Sequence, residues 1–413
     1  LIRICTSTGA LQFAGLRGVD VFKCETEAVT HLVSISRIKS TLPVRAVLGW
    51  ITLGDVGLLL VATRVKPSYM LPSGDEVFTI TESQWQRIPL QDPSSTLTKA
   101  ETRNITALLE YPIEGVHFYC ETADVSRPFP SKFGVDNPSL DFVMNEWLSS
   151  SFRTVGLAHH CVVLVQGVAE SRHLVDSAGK KWVLGLISRR SRIHPGTRYL
   201  ARGMNAAGSP GNEVECEQVV WTSNKKKVLW SSYVWRRGTV PIWWGAEIKN
   251  TVGEAEIYIC DNPYQGTLPY YINLRDRYLD EEDQAKELAE AAEDGPKSYP
   301  VTCINLLRCA PGKPETSLSE HFQESLRLVR KQEPLLDVCM LNFDWHANVK
   351  SLGEEKAVEG LWAKMQPSVT ASGVTVGEIE VNPGEGIESR TVNMSSVLRG
   401  VQQRQRGMLR YNC

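Results

Sequence analysis

Val301-Thr302-Cys303-Ile304-Asn305-Leu306-Leu307, then Leu318, Phe322, Leu326 and Val329 at helical spacing, then the run Leu335-Leu336-Asp337-Val338-Cys339-Met340-Leu341-Asn342-Phe343, is the succession that decides the fold. The outer runs are short and mostly apolar, as in strands covered on both faces. The middle segment repeats apolar residues every three or four positions, as in an amphipathic helix. Strand, helix and strand in that order predict a parallel βαβ unit. Ser351 and Glu354 read as a capping box ahead of Val358, Leu361, Trp362 and Met365, which continues the alternation. The expected class is therefore α/β in this part and α+β overall.

Working outward, Val44 to Thr63 is an apolar run, a Gly54-Asp55 turn and a second apolar run, which predicts a buried β-hairpin. Val77 to Ile80 and Gly115 to Glu121 add strand-like material, and Leu140 to Leu148 carries Phe142, Val143, Trp147 and Leu148 at helical spacing. A boundary near residue 150 would separate a sheet-rich unit, 1–150, from a second unit, 151–413. In the latter, Cys161 to Val168, Trp182 to Ile187, Val228 to Val234 and Ala255 to Cys260 read as strands. Leu279 to Asp294 is rich in acidic residues and reads as a solvated helix or a partly disordered insertion.

Of the 413 residues, 42% are hydrophobic and 22% charged, a globular balance with length for two domains. The formal net charge of -2 excludes bulk attraction to nucleic acid, so any grip on phosphate must come from a local cluster. Ten cysteines are scattered without zinc spacing, which predicts reduced cytosolic thiols, no metal and no cofactor. The most apolar stretch, Ala46 to Thr63, is broken by Gly54-Asp55 and falls short of a membrane span. The chain opens on Leu1 and stops abruptly at Leu409-Arg410-Tyr411-Asn412-Cys413, which reads as an interrupted sequence.

Three local clusters stand out. Arg189, Arg190, Arg192, Arg198 and Arg202 crowd around His194, Pro195, Gly196 and Thr197. Planar guanidinium forks match phosphate oxygens bidentately, although pairing with Glu213, Glu215 and Glu217 would absorb the same charge. Arg237-Gly238-Thr239-Val240-Pro241-Ile242-Trp243-Trp244 reads as an edge or loop with aromatic packing, and Lys225-Lys226-Lys227 as a hairpin tip. Phe343-Asp344-Trp345-His346 follows an apolar strand, so Asp344 and His346 would emerge at its carboxyl end, where open α/β sheets bind ligands; a capping Asp and a structural His are the alternative.

Taken in order, these segments resemble the Sac family of phosphoinositide phosphatases. Ser188 to Arg192 with Gly196-Thr197-Arg198-Tyr199, Arg202-Gly203 and Glu215-Cys216-Glu217-Gln218 is similar to the family's central signature. Arg237 to Pro241 with Trp244 matches its RG(S/T)xPxxW segment, and Phe343 to His346 resembles its FDFH-like segment. Leu48 to Ile51 and Phe118-Tyr119 fit its noncatalytic N-terminal part more loosely. Arg410-Tyr411-Asn412-Cys413 resembles the opening of the RxNCxDCLDRTN active-site motif. Tyr411, where most members carry threonine, and the acidic insertion resemble the large plant members that bear a WW domain.

The resemblance implies a cysteine phosphatase acting on a phosphoinositide lipid at a membrane surface, with Cys413 as nucleophile. It implies a noncatalytic region over 1–150 and an incomplete catalytic region over 151–413, lacking the C-x5-R phosphate loop. Arg198, Arg202, Asp344, His346 and Asn412 are then the expected pocket-shaping residues. A thiolate attacking phosphorus needs a lowered pKa, encircling backbone N–H groups and an arginine for the equatorial oxygens. The 413-residue chain is expected to be inactive by itself, a free α-carboxylate beside the sulfur disfavouring the thiolate. A noncatalytic phosphoinositide-binding scaffold and a protein tyrosine phosphatase are the competing readings.

Overall fold

The two apolar runs of the N-terminal region form neighbouring strands because both of their faces find cover. The computed structural model describes residues 44–53, 56–89, 98–111, 113–132, 137–154, 158–196, 201–224, 226–247, 256–278, 299–308, 312–380 and 392–412, with strand residues 2–4, 11–13 and 41–42. The chain divides into two compact units, Leu1–His173 with Asn382–Leu398 and Leu174–Val381 with Arg399–Cys413.

In the first unit, β1 (Ile2–Ile4) pairs antiparallel with β2 (Leu11–Phe13) and β3 (Thr41–Leu42). β4 (Ala46–Leu53), β5 (Val56–Met70), β6 (Glu76–Pro89), β7 (His117–Cys120) and β8 (Val165–Val175) pair antiparallel in that order. Leu48, Leu60 and Ala62 pack with Ile80, Tyr119 and Leu164. The alternate residues Val47, Leu59 and Val61 pack with Ile88 and Phe152, so the runs are apolar throughout rather than alternating. Helix α1 (Lys99–Leu109) lays Ile105 on Ile51 and Leu58.

Helix α2 (Glu146–Thr154) starts later than the spacing over 140–148 suggests. The cause is Asn145, whose Nδ2 donates to the carbonyls of Leu48 (2.7 Å) and Val162 (2.8 Å) while its Oδ1 accepts from Leu164 N (2.9 Å). That side chain ties β4 to the segment just before β8 and leaves the preceding residues in turns that bury Phe142 and Val143. Likewise the strand expected from Cys161 begins at Val165.

The second unit runs through β9 (Lys181–Arg190), β10 (Val214–Ser223), β11 (Lys227–Gly238), a ribbon of β12 (Trp244–Glu247) and β13 (Glu256–Ile259), and helix α3 (Thr267–Tyr278). It continues with β14 (Tyr299–Asn305), α4 (Pro314–Gln332), β15 (Leu336–Asn342), α5 (Trp345–Leu352), α6 (Glu354–Ser372) and β16 (Thr375–Glu380). The helix α7 (Met394–Arg399) belongs to the first unit up to Leu398, and β17 (Val401–Gln403) and β18 (Met408–Asn412) follow in the second. β9, β10 and β11 are antiparallel, whereas β18 runs parallel to both β11 and β14, and β14 parallel to β15. β16 takes the first half of β11 antiparallel. The result is a mixed sheet whose parallel portion is β11-β18-β14-β15.

β14, α4 and β15 are the predicted βαβ unit, with Leu318, Phe322, Leu326 and Val329 as its buried stripe. Val301, Cys303 and Met408 join that stripe and Tyr270, Tyr271 and Leu274 of α3, while Ile304 and Leu409 turn the other way onto Met365 of α6. The capping box expected at Ser351 and Glu354 does not form. Ser351 lies in the last turn of α5, where its Oγ donates to Asn348 O (3.2 Å), and Gly353, at φ 85°, makes the break before α6. The acidic stretch Leu279 to Asp294 lies outside the described residues. Among the described residues, no helix is long and apolar enough to cross a membrane.

Phe322 is 0% exposed at the centre of the α3–α4 core. Phe322→Ala is expected to cost about 3–5 kcal/mol, read as a lower denaturation midpoint with an unchanged slope; a shift within error would mean that this core does not hold the βαβ unit together.

Candidate active site at the carboxyl ends of the parallel strands

Because β11, β18, β14 and β15 run the same way, their carboxyl ends line up. Gly238 is in register with Asn412, Asn412 with Asn305, and Asn305 with Asn342. Leu306 N donates to Asn412 O (3.0 Å) and Phe343 N to Asn305 O (2.9 Å), carrying the ladder one step past the strands. This edge is where an open α/β sheet presents its loops to a ligand. Cys413 follows Asn412 directly in the chain and lies outside the described residues, as does Arg198.

Asp344, expected as a pocket-shaping residue, follows β15 by two positions, and its side chain has a local task. Its carboxylate accepts from Ala347 N (2.9 Å) and caps α5, and its carbonyl accepts from Asn348 Nδ2 (2.7 Å). His346 follows in the first turn of α5 and is exposed. Two strand spacings separate β15 from β18, so these residues leave the sheet about 10 Å from Asn412.

Beneath the edge lies a buried ionic layer. Glu215 and Glu217 alternate on one face of β10, and Glu213, just before the strand, continues the same spacing. Glu215 is in register with Arg189 of β9 and Arg236 of β11. Arg189 reaches Glu215 (3.2 Å) and Glu217 (2.5 Å); Arg236 reaches Glu213 (3.1 Å) and Glu215 (3.0 Å). Ser232 Oγ donates to Glu217 (2.7 Å), and the Tyr278 hydroxyl accepts from Arg236 Nε (2.7 Å) and donates to Glu215. Burial by itself pushes the Glu215 carboxyl up, but Arg236, Arg189 and the Tyr278 hydroxyl outweigh it and hold the group below its ordinary value.

Arg410 of β18 extends this layer to the strand ends. Its Nε donates to the Tyr270 hydroxyl (2.7 Å), which donates to Glu213 (2.6 Å); its Nη2 donates to Thr239 O (2.8 Å) and its Nη1 to Asn412 Oδ1. Arg410 and Asn412 are both 0% exposed. Three guanidinium groups thus meet three carboxylates out of water, a layer balanced in charge.

The arginine cluster is therefore divided. Arg189 takes the pairing role with Glu215 and Glu217. Arg190 donates to Asn212 Oδ1 (3.0 Å) and Gly196 O (3.5 Å), fixing the loop after β9. Arg202 lies with its guanidinium carbon 5.6 Å from the Trp244 ring centre. The next residue, Gly203, has φ +60°, and a Cβ there would come within 2.4 Å of Trp244 O. Gly203 O accepts from Gly211 N (2.8 Å) and Thr239 Oγ1 (3.1 Å). The two motif-bearing segments, 188–203 and 237–244, are interlocked through these contacts.

Tyr270 and Asn305 are not singled out by the sequence, and Arg410 enters there only as the first residue of the Arg410–Cys413 segment, without its buried role. The period-two spacing of Glu213, Glu215 and Glu217 between two arginine-bearing strands was the available signal. Among the described residues, no three His, Cys, Asp or Glu side chains gather as metal ligands would.

A parallel-strand edge over a polar layer defines an α/β protein whose candidate site lies at the strand termini. The SacI homology domain matches residues 45–350, and the chain belongs to that family. It is similar to the phosphoinositide phosphatase SAC4 of Arabidopsis thaliana, 30% identical over 225 residues, covering 52% of this chain and 24% of the relative. The phosphoinositide phosphatase SAC5 of the same plant is 28% identical over 289 residues, covering 66% and 34%. The phosphatidylinositol-3-phosphatase SAC1 of Saccharomyces cerevisiae is 37% identical over 100 residues, covering 24% and 16%. The matches span between about a sixth and a third of the length of these relatives.

Because the folded Glu215 pKa is depressed, its contribution is complete above the ordinary carboxyl value, about 4.3, and is lost as pH falls from there through the folded value. Glu215→Gln is expected to cost about 3–5 kcal/mol at pH 7, with the gap from the unsubstituted chain narrowing below pH 4.3. Denaturant titrations at pH 7 and in the acid range read both; a gap constant with pH would contradict the depressed carboxyl.

Proposed function

We propose that these residues are the Sac portion of a phosphoinositide phosphatase in which Cys413 is the nucleophile. The observation that carries the reading is the place of Arg410-Tyr411-Asn412, which ends a strand with parallel partners on both sides; Cys413 is next in the chain, and the carboxyl edge of such strands is where open α/β sheets bind ligands. That relatives are phosphoinositide phosphatases supports the substrate class, which we take to be an inositol-ring phosphate monoester on a membrane lipid. The Cys413 thiolate would attack phosphorus, the lipid alcohol would leave with a proton, and water would then cleave the phosphocysteine. A C-x5-R loop following Cys413 would cradle the equatorial oxygens with its N–H groups and arginine.

In this reading Arg198 and Arg202 shape the pocket wall, and Asp344 and His346 border it from β15. Residues 1–150 are its noncatalytic part, and residues 151–413 its catalytic part. The protein works from the cytosol as a peripheral visitor to the membrane, and a WW domain further along the chain would place it with the large plant members.

Residues 1–413 expressed alone are expected to release no phosphate, since no arginine follows Cys413 in that polypeptide. The full-length protein is expected to release phosphate from short-chain phosphatidylinositol monophosphates, and Cys413→Ser to lower the rate by at least about 10³-fold. Binding of phosphoinositide vesicles by the full-length protein without phosphate release would overturn the catalytic reading in favour of a lipid-binding scaffold. Faster turnover of a phosphotyrosine peptide would assign it to the protein phosphatases.

A further inference from the structure

Asn412 and Asn305 are in-register neighbours on two parallel strands, so their side chains project from the same face of the sheet. Both are 0% exposed. The Asn412 amide has its orientation set by Arg410, whose Nη1 donates to Oδ1 and leaves Nδ2 as the outward donor. The Asn305 amide is set from its other end: Nδ2 donates to Asn342 Oδ1 (2.8 Å) and Ser319 Oγ (3.0 Å), leaving Oδ1 as the acceptor. Asn412 Nδ2 and Asn305 Oδ1 have no hydrogen-bond partner among the described residues. One buried donor and one buried acceptor thus stand unsatisfied on adjacent strands, and a buried polar group left unpaired is destabilising. Strands about 4.8 Å apart bring such amides within reach of each other after a small side-chain rotation.

We infer that Asn305 is a positioning residue for the reaction, accepting from Asn412 Nδ2 so that Arg410 and Asn305 hold the Asn412 amide from both sides. This clamp fixes the direction in which the chain leaves β18 towards Cys413. The inference rests on Cys413 being the nucleophile for its catalytic consequence, but not for the pairing itself. The clamp joins Arg410, tied through Tyr270 to Glu213, with Asn342 at the end of β15 and Ser319 of α4. Neither Asn305 nor Arg410 needs to touch the substrate to act in this way.

The test is a double-substitution cycle, Asn305→Ala, Asn412→Ala and both together, in the full-length protein with dioctanoyl phosphatidylinositol monophosphates as probes. A misplaced nucleophile costs on the order of 10²-fold in rate. Each single substitution is expected to lower kcat by about that factor with KM changed less than about threefold, and the double to fall no further than the worse single. Losses that multiply, or a loss confined to KM, overturn the inference.

Melting of the same variants in residues 1–413 reads the pairing without activity: the double variant should melt no lower than the worse single, and additive losses overturn it. An unsubstituted full-length protein that releases no phosphate overturns the proposed function and the positioning role, leaving the pairing to the melting cycle. Should Asn305→Ala fail to fold, Asn305→Asp, which keeps the acceptor oxygen, should retain more kcat than Asn305→Leu, which fills the space without it; equal loss in the two overturns the inference.

Discussion

Burying Arg189, Arg236 and Arg410 together with Glu213, Glu215 and Glu217 is the constraint on which the second compact unit depends. A single charge left in that interior would cost several kcal/mol, so every member must find its partner for β9, β10, β11 and β18 to close. The pairing is geometric as well as electrostatic. Glu215 accepts from Arg189 on one side and Arg236 on the other, which is satisfied only when the two antiparallel ladders are in their observed register. The layer therefore fixes strand register near the carboxyl edge of the parallel strands more firmly than an apolar core of interchangeable side chains would.

From this layer the order passes outward by hydrogen bonds. Arg410 takes its place between Tyr270 and Thr239, and through Nη1 it orients Asn412. Thr239 holds Gly203, whose positive φ and close approach to Trp244 bring the loop after β9 against the 238–244 segment. The sequence features that mark the family are thus largely the parts of one scaffold. Their concentration of arginine provides internal neutralisation at Arg189 and leaves Arg202 against an aromatic ring.

Much of the parallel portion was legible in the amino-acid order, because strand β14, helix α4 and strand β15 each declare themselves by apolar period within a short window. The central place of β18 was not. It depends on pairing with β11 and β14 across long separations in the chain, which periodicity does not encode. The site was legible in its motifs and less so in its division of labour. Asp344 has the residue type of an acid catalyst and the geometry of a helix cap, and only the position of Ala347 N separates the two. Asn305 gave no signal, since an asparagine at the end of an apolar run reads as an ordinary strand terminator until its neighbours across the sheet are known.

The central claim is that Arg189 of β9 and Arg236 of β11 hold the scaffold rather than the ligand. Denaturant unfolding of Arg189→Lys tests it most directly, because lysine keeps the charge and loses the fork that spans Glu215 and Glu217. The account predicts a loss of at least about 2 kcal/mol in unfolding free energy at pH 7. An unfolding midpoint equal to that of the unsubstituted chain would contradict it, and would mean that the Arg189 guanidinium is not committed to the fold.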